Sequence, residues 1–201
     1  MNQQEINQKK FISAIELHDL WLNDNSKGQR LEFIDCVLSD IAVNKRNLES
    51  AVFVKCNFDK VRFVECNFQT ALFYESIFNA CSFNDCYMRK AEFNDAKMND
   101  VDFSGSFMAK VEMIGTSAQR ANFTNCELGY AFFSNADIRE AVFENASFAW
   151  THFGHAKLYN TRKFHIKTFD KASVIGGADV SVNGDGTVLI QEIDELISYL
   201  T

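Results

Sequence analysis

Large apolar residues recur at every fifth position over most of this chain. From Phe33 to Leu158 the register holds for 26 consecutive positions, and 25 of them carry a large apolar side chain. Fifteen of the 20 Phe residues lie in this column, and Ala118 is the one small residue in it. A period of five matches neither the helical nor the ordinary strand repeat. The pattern predicts a solenoid in which each unit sends one large side chain to a shared core.

A second column lies two positions before each large residue and holds small side chains, mostly Ala, Ser, Thr, Val and Cys. All six cysteines of the chain lie in it: Cys36, Cys56, Cys66, Cys81, Cys86 and Cys126. Buried free cysteine behaves as a small, weakly polar residue, so we expect these thiols to pack in the interior. The three other positions of each unit are mostly polar and are expected to face solvent.

Units such as Ala91-Glu92-Phe93-Asn94-Asp95 and Ala121-Asn122-Phe123-Thr124-Asn125 resemble the A-(D/N)-L-x-x unit of the pentapeptide-repeat family. The resemblance covers residues 31–160. It implies an all-β solenoid, a right-handed quadrilateral β-helix with four units in each 20-residue coil. About 6.5 coils at the ~4.8 Å strand spacing give a rod of about 31 Å. The stacked rings should form ladders along the core, Phe53-Phe73-Phe93 on one side and Phe63-Phe83-Phe103-Phe123-Phe143 on another.

Three parts follow: residues 1–30 as an N-terminal cap, 31–160 as the β-helix, and 161–201 as a C-terminal extension. Residues 3–22 are predicted to be helical, because an open β-helix end needs a cap. Its apolar face is expected to contain Ile12, Ile15, Leu20 and Trp21. His18-Asp19-Leu20-Trp21-Leu22 is similar to the H-x-x-W-L lead-in of bacterial family members, and Trp21 is expected to cover the first coil.

Residues 188–200 carry apolar side chains at helical spacing and predict an amphipathic C-terminal helix: Leu189, Ile193, Leu196, Ile197 and Leu200. This helix would either cap the solenoid or join two chains in a homodimer. The quinolone-resistance members of the family form dimers through a C-terminal segment, so the second role is implied by resemblance only.

Two irregularities interrupt the repeat. In the coil 31–50, Arg46 stands at a small-residue position and Val43 at a large one, so the regular solenoid is expected to begin near Ala51. At Ala118 the large residue is missing. A packing adjustment by Met98, Met108 and Met113, whose side chains adapt to irregular gaps, is favoured there over a binding notch.

The candidate chemical groups favour structural roles. Coil stacking would place Cys36 beneath Cys56 and Cys66 beneath Cys86, within disulfide reach, but buried cytosolic thiols are normally reduced. His18 is assigned to the cap, His152 and His155 to the surface of the last coil, and His165 follows the repeat. No nucleotide-binding or hydrolase motif occurs. We therefore expect no catalytic residue, no cofactor and no metal, and predict that the chain is not an enzyme.

Residues 181–192 are similar to a calcium-binding EF-hand or dockerin loop. Asn183, Asp185 and Glu192 would supply ligands at loop positions 3, 5 and 12. Ser181 departs from the pattern, because the first position normally holds Asp. The alternative is a tight Asn-Gly-Asp-Gly turn, which is the favoured interpretation.

Charge narrows the possible partners. The net charge of −7 disfavours direct binding to nucleic acid or to an anionic membrane. The N-terminus lacks the features of a signal peptide, so a cytoplasmic location is expected.

The favoured function is a non-catalytic scaffold that presents its outer faces to a protein partner. The alternative is a DNA-mimicking protein that binds and protects DNA gyrase, as quinolone-resistance members do. Residues 51–160 hold 13 acidic and 10 basic residues, so their small excess of negative charge would make a weak DNA mimic. One continuous negative face would favour the gyrase-binding function.

Overall fold

A computed structural model describes residues 3–161, together with Ala178–Asp179, Leu189–Ile190, Glu195 and Ser198. Two elements open the chain, strand β1 (Gln4–Ile6) and helix α1 (Gln8–Asn23). The first coils then contain short strands: β2 (Glu32–Ile34), β3 (Cys36–Ser39), β4 (Ala42–Asn44), β5 (Val52–Val54), β6 (Asn57–Asp59), β7 (Arg62–Val64), β8 (Ile77–Asn79) and β9 (Ser82–Asn84). Above them the same register continues as single parallel bridges up to Asp137↔Lys157.

Each strand pairs with the strand at the same place in the next coil. In β3, β6 and β8, for example, Leu38 lies beside Phe58, and Phe58 lies beside Phe78. Because four five-residue units separate a residue from its partner, the chain forms a four-sided β-helix. We number the sides from the unit at 51–55: the first side holds 51–55, the second 56–60, the third 61–65 and the fourth 66–70. Each side recurs once in every coil.

The corners impose an unusual backbone conformation. Residue five of each unit, from Asp35 to Asn160, has a positive φ at all 26 positions, and 24 of these residues are not glycine. The left-handed region normally costs such residues about 1–2 kcal/mol. Most corners are held by the coil above, as when the Asp100 N–H donates to the Gln119 carbonyl at 2.9 Å. At Gly105 a Cβ would in addition collide with the Asp85 carboxylate of the coil below.

The predicted phenylalanine ladders fill the core. Phe53 and Phe73 stack with ring centroids 5.0 Å apart, and Phe73 and Phe93 at 4.6 Å. On the third side, the ladder from Phe63 to Phe143 continues through spacings of 5.1, 5.4, 5.3 and 5.1 Å. Rings on neighbouring sides meet edge to face, which is a favourable aromatic geometry. The interior is therefore occupied by side chains along its length.

The small-residue column satisfies the core backbone as well as filling the corners. The Cys126 thiol donates to the Phe103 carbonyl at 3.0 Å, and the Ser106 hydroxyl donates to the Phe83 carbonyl at 2.7 Å. Both bonds run from one coil to the coil below. All six cysteines are buried and free, so neither predicted stack of two cysteines forms a disulfide.

The N-terminal cap differs from the prediction in two ways. Residues 4–6 form β1, which pairs in parallel with β3 and covers the lower edge of the second side. In α1 the buried face consists of Phe11, Ile15 and His18, whereas Leu20 is 52% exposed. Phe11, not Trp21, covers the first coil, because its ring packs on Phe33 at 5.8 Å and continues the ladder.

The first coil is regular, so the expected start near Ala51 is wrong. β2 pairs with β5, and β4 pairs with β7, in the same register as the later coils. One of the two unusual residues of this coil contacts the cap. The Arg46 guanidinium lies 3.7 Å from the Asp19 carboxylate of α1.

The defect at Ala118 leaves the backbone register intact. Ser117 bridges both Lys97 below and Asp137 above, and the Ala118 N–H donates to the Asp137 carbonyl at 2.8 Å. Ala118 and Met98 are both completely buried, as are Met108 and Met113. The structure therefore supports a packing adjustment and shows no open notch at this position.

The predicted C-terminal helix over residues 188–200 is wrong at its start and agrees with the structure further along. Leu189–Ile190, assigned to a helix, form strand β11, which pairs antiparallel with β10 (Ala178–Asp179). Glu195 and Ser198 are helical. The remainder of the predicted helix, and its role in capping or dimerisation, lies outside the described residues.

Truncating a ladder ring should cost far more than truncating an outward ring of the same type. We expect Phe103→Ala to lower the free energy of unfolding by about 3–5 kcal/mol, because Phe103 lies between Phe83 and Phe123. Phe107→Ala, four residues away but on the outside, should cost about 1 kcal/mol or less. Urea denaturation measures both, and similar costs would contradict the assignment of inner and outer positions.

Glycine should stabilise the fold at a corner and destabilise it elsewhere. Ala80 is exposed with a φ of 50°, so Ala80→Gly should raise the free energy of unfolding by about 1 kcal/mol. Ala109 lies at the fourth position of its unit and is not among the positive-φ residues, so Ala109→Gly should lower it by about 0.5–1 kcal/mol. Thermal and urea denaturation of the two variants give the signs, and equal signs would contradict the corner assignment.

Candidate interaction surface

The four sides differ in charge. Between residues 51 and 160, the first and third sides each carry one basic and four acidic residues. The second side carries five basic and four acidic residues, and the fourth side carries three basic and one acidic. Since the first and third sides lie opposite each other, negative charge is divided between two separated surfaces. The continuous negative face that would favour a DNA mimic is not what this part of the chain presents.

On the second and third sides, the outward polar side chains bond to one another. On the second side, Arg139 forms two bonds to the Asp137 carboxylate, at 2.6 and 2.5 Å, and also contacts Tyr159. Burial raises the pKa of Asp137, but the bonds from Arg139 outweigh this and hold it below its usual range. On the third side, the Asp102 carboxylate accepts from Asn84 at 2.7 Å and from Asn122 at 2.8 Å. Such internally satisfied networks leave fewer polar groups for a partner.

The fourth side presents stacked aromatic rings to solvent. Tyr87 and Phe107 occupy the second, outward position of consecutive coils, with ring centroids 5.0 Å apart and planes 2° from parallel. They are 40% and 36% exposed. Ala109 and Gly129 occupy the fourth position beside these rings. Because Ala109 and Gly129 are small, the surface beside the rings is recessed and accessible.

A groove follows the corner between the fourth and first sides. Its volume is about 410 Å³, and its walls are formed by Thr70, Lys90, Glu92, Lys110, Glu112, Tyr130 and Phe132. The Lys110 ammonium lies over the Tyr130 ring, 5.3 Å from its centroid, in a cation–π contact. Burial, together with the negative charge of Glu112, raises the pKa of Glu92.

We refer to Tyr87, Phe107 and Tyr130, with Arg89, Lys90 and Lys110, as the fourth-side platform. The five-residue repeat does not reveal this surface, because it treats all outward positions alike. The signal lies in the period of the whole coil, which separates Tyr87 from Phe107 and Tyr130 from Trp150. Residues that are 20 apart in the sequence therefore lie next to each other on one side of the β-helix.

The described histidines lie in two places, His18 in the cap and His152 and His155 on the last coil. His18 is completely buried in the cap, whereas His155 is exposed on the last coil. His152 stacks on Phe132 at 4.7 Å, on the first side. His165 lies outside the described residues, as do Asn183, Asp185 and Glu192 of the predicted calcium loop.

Burial makes Cys56, Cys81 and Cys126 poor nucleophiles, whereas a hydrogen bond with Cys86 lowers the pKa of the buried Cys66 thiol. Burial raises the pKa of Cys81 to about 11 and that of Cys56 and Cys126 to about 12, so the reactive thiolate is scarce at neutral pH. Over residues 3–161 and the few described beyond them, no three His, Cys, Asp or Glu side chains gather as metal ligands would. In the same part of the chain, no helix has both the length and the apolar character needed to cross a bilayer.

Comparison with known proteins agrees with this architecture. The family described as "Pentapeptide repeat region" matches residues 76–153. HetL from the cyanobacterium Nostoc sp. strain PCC 7120 superposes with a TM-score of 0.53 over 88% of this chain and 92% of its own, at 16% identity. Residues 76–153 of this chain form a pentapeptide-repeat region. At this identity, the likeness to HetL shows the shared fold alone.

Other pentapeptide-repeat structures are more distant. Rfr23 from the cyanobacterium Cyanothece 51142 gives a TM-score of 0.39 at 14% identity, over 81% of this chain and 97% of its own. The plasmid-mediated fluoroquinolone resistance protein QnrB1 gives 0.37 at 17% identity, over 75% of this chain and 82% of its own. No curated protein matches the sequence.

His18 joins the cap to the first coil of the β-helix. Its Nδ1 accepts from the Leu31 N–H at 3.0 Å, so the proton is on Nε2, which donates to the Glu49 carbonyl at 3.1 Å. Burial lowers the pKa of His18 and outweighs the bond to Glu49, which raises it. Protonation of Nδ1 would make it a donor that faces the Leu31 N–H, and this hydrogen bond would be lost.

The cap should therefore loosen as the pH falls. Because the folded-state pKa of His18 is lowered, the unfolded state binds the proton more readily, and stability declines below the ordinary value of about 6.5. One such proton contributes a slope of at most about 1.4 kcal/mol per pH unit. We expect urea denaturation between pH 7 and pH 5 to show this slope in the wild type and in the exposed-site control His155→Ala. It should be largely absent in His18→Ala, and an unchanged slope there would contradict the assignment.

Proposed function

We propose that the protein is a non-catalytic scaffold whose fourth-side platform binds a protein partner. The observation that carries the proposal is the stacked pair Tyr87 and Phe107, exposed at positions where the other sides hold mostly polar residues. Aromatic and arginine side chains are enriched where proteins bind one another. The platform combines both around a low centre formed by Ala109 and Gly129.

A structural role, not a catalytic one, suits the interior. The ladder rings occupy the axis of the coil, and burial raises the pKa values of the Cys56, Cys81 and Cys126 thiols. Catalysis requires a concave site in which an acid, base or nucleophile reaches a substrate. The groove beside the platform instead alternates Lys90 and Lys110 with Glu92 and Glu112 along an open corner. We propose that the protein acts by binding, in the cytoplasm.

Gyrase protection is the less favoured function. A rod that imitates duplex DNA needs dense negative charge along one continuous surface. Here the acidic first and third sides are separated by sides with a net positive count of charged residues. The gyrase proposal therefore rests only on the family resemblance.

Affinity capture from extracts of the source cells tests the proposed function. The wild type and two variants with similar losses of exposed apolar surface are compared. Tyr87→Ser with Phe107→Ser removes the platform rings, whereas Ile34→Ser with Ile77→Ser removes apolar side chains from the first and second sides. We expect the platform variant to recover about tenfold less of a specific partner, since exposed aromatic anchors carry much of the binding energy. The control should recover the wild-type amount.

Equal recovery by the two variants would contradict the role of the platform. A gyrase supercoiling assay, with and without a fluoroquinolone, tests the alternative. We expect no change in supercoiling when the protein is added. Protection of supercoiling against the drug would overturn the scaffold proposal in favour of gyrase.

A further inference from the structure

Three cations gather on the platform of an otherwise acidic protein. Arg89 and Lys90 are consecutive, and Lys110 lies one coil above Lys90 at the same corner. Several other cations of the coils are paired: Lys45 with Glu65, Lys55 with Glu75, and Arg120 with Asp100. Within residues 3–161, no carboxylate lies at ion-pair distance from any of the three platform cations. Their charge is therefore available to an incoming anion.

The cations and the rings share one surface. Lys90 and Lys110 are separated by one coil, roughly 4.8 Å along the rod, so their positive charges repel each other. Lys110 is partly fixed by its contact with the Tyr130 ring. Tyr87 and Phe107 lie at the opposite margin of the same side, three residues before Lys90 and Lys110. An anion beside an apolar group would meet both the cations and the rings.

We propose that the fourth side binds an acidic segment of a partner polypeptide, in which carboxylates flank an apolar or aromatic side chain. This inference rests on the proposed scaffold function and names the chemistry of its partner. The carboxylates would pair with Arg89, Lys90 and Lys110, and the apolar side chain would pack on Tyr87 and Phe107. The planar guanidinium of Arg89 can form bidentate hydrogen bonds with a carboxylate.

A peptide fits this surface better than a nucleic acid does. Three cations neutralise few phosphates, and the acidic first and third sides flank the platform on both edges. A long polyanion would extend onto those edges and be repelled, whereas a short acidic segment ends within the platform. A second copy could offer its own acidic side, but such a contact is heterologous and would build a ring or an open chain of molecules.

Fluorescence anisotropy with the whole chain tests this inference. The probe is a labelled synthetic peptide that alternates Glu with Leu and Phe, and its counterpart has Lys in place of Glu. We expect only the acidic peptide to bind. Its affinity should fall as salt rises from about 50 to about 300 mM, because salt screens exposed charges.

A charge-matched pair of triple variants locates the site. Arg89→Ala, Lys90→Ala and Lys110→Ala together should weaken binding of the acidic peptide by about tenfold or more, given three lost charge pairs. Arg62→Ala, Lys97→Ala and Lys157→Ala remove one arginine and two lysines from the second and third sides. This control should stay within about twofold of the wild type. Phe107→Ala should weaken binding of the acidic peptide while leaving the charge unchanged.

Besides a failure of the acidic peptide to bind, four outcomes would overturn the inference. These are equal binding of the basic peptide, equal losses in the two triple variants, tighter binding of a single-stranded oligonucleotide through the same cations, and self-association abolished by the platform triple variant. If acidic peptides fail to bind while Tyr87→Ser with Phe107→Ser still loses the captured partner, the inference fails and the scaffold function stands. If the captured partner is retained as well, both fail.

Discussion

Backbone pairing between successive coils is the constraint on which this molecule depends. It holds most corners in the left-handed conformation, although most corner residues have side chains that disfavour it. It also fixes which side chains point inward, so that Phe63 and Phe143 belong to one ladder four coils apart. A single coil has neither a closed core nor satisfied corners. The fold therefore exists only as a stack, and its stability is distributed along the rod.

The same constraint separates the interior from the surface. Inward positions are restricted to rings, methionines and small residues, because they must fill one continuous axis. Outward positions are free to vary without disturbing that axis. The second and third sides use this freedom for internal polar networks, such as those around Asp137 and Asp102. The fourth side uses it for exposed rings and for cations that no carboxylate of residues 3–161 pairs, which is why the platform is the natural place for a partner to bind.

The sequence predicted the core because five-residue spacing is a direct consequence of the geometry. It predicted the ladder of Phe103 and the burial of Cys126 for the same reason. It misassigned Trp21 because helical periodicity alone does not show which ring meets the first coil, and Phe11 does so through a contact with Phe33. It overlooked Tyr87 and Phe107 because their proximity arises from the closure of four units into a coil. The strand at Leu189–Ile190 was missed because its apolar residues also fit a helical spacing.

Four units per coil also limit how the length of this protein can change. Removal of one whole coil from the middle of the rod would shorten it by one layer and return every later side chain to its own side. Removal of a single unit between Tyr87 and Phe107 would turn all later units by a quarter of a revolution, and Phe107 would then face outward on the acidic third side. Lineages that keep the platform should therefore gain or lose sequence there in whole coils.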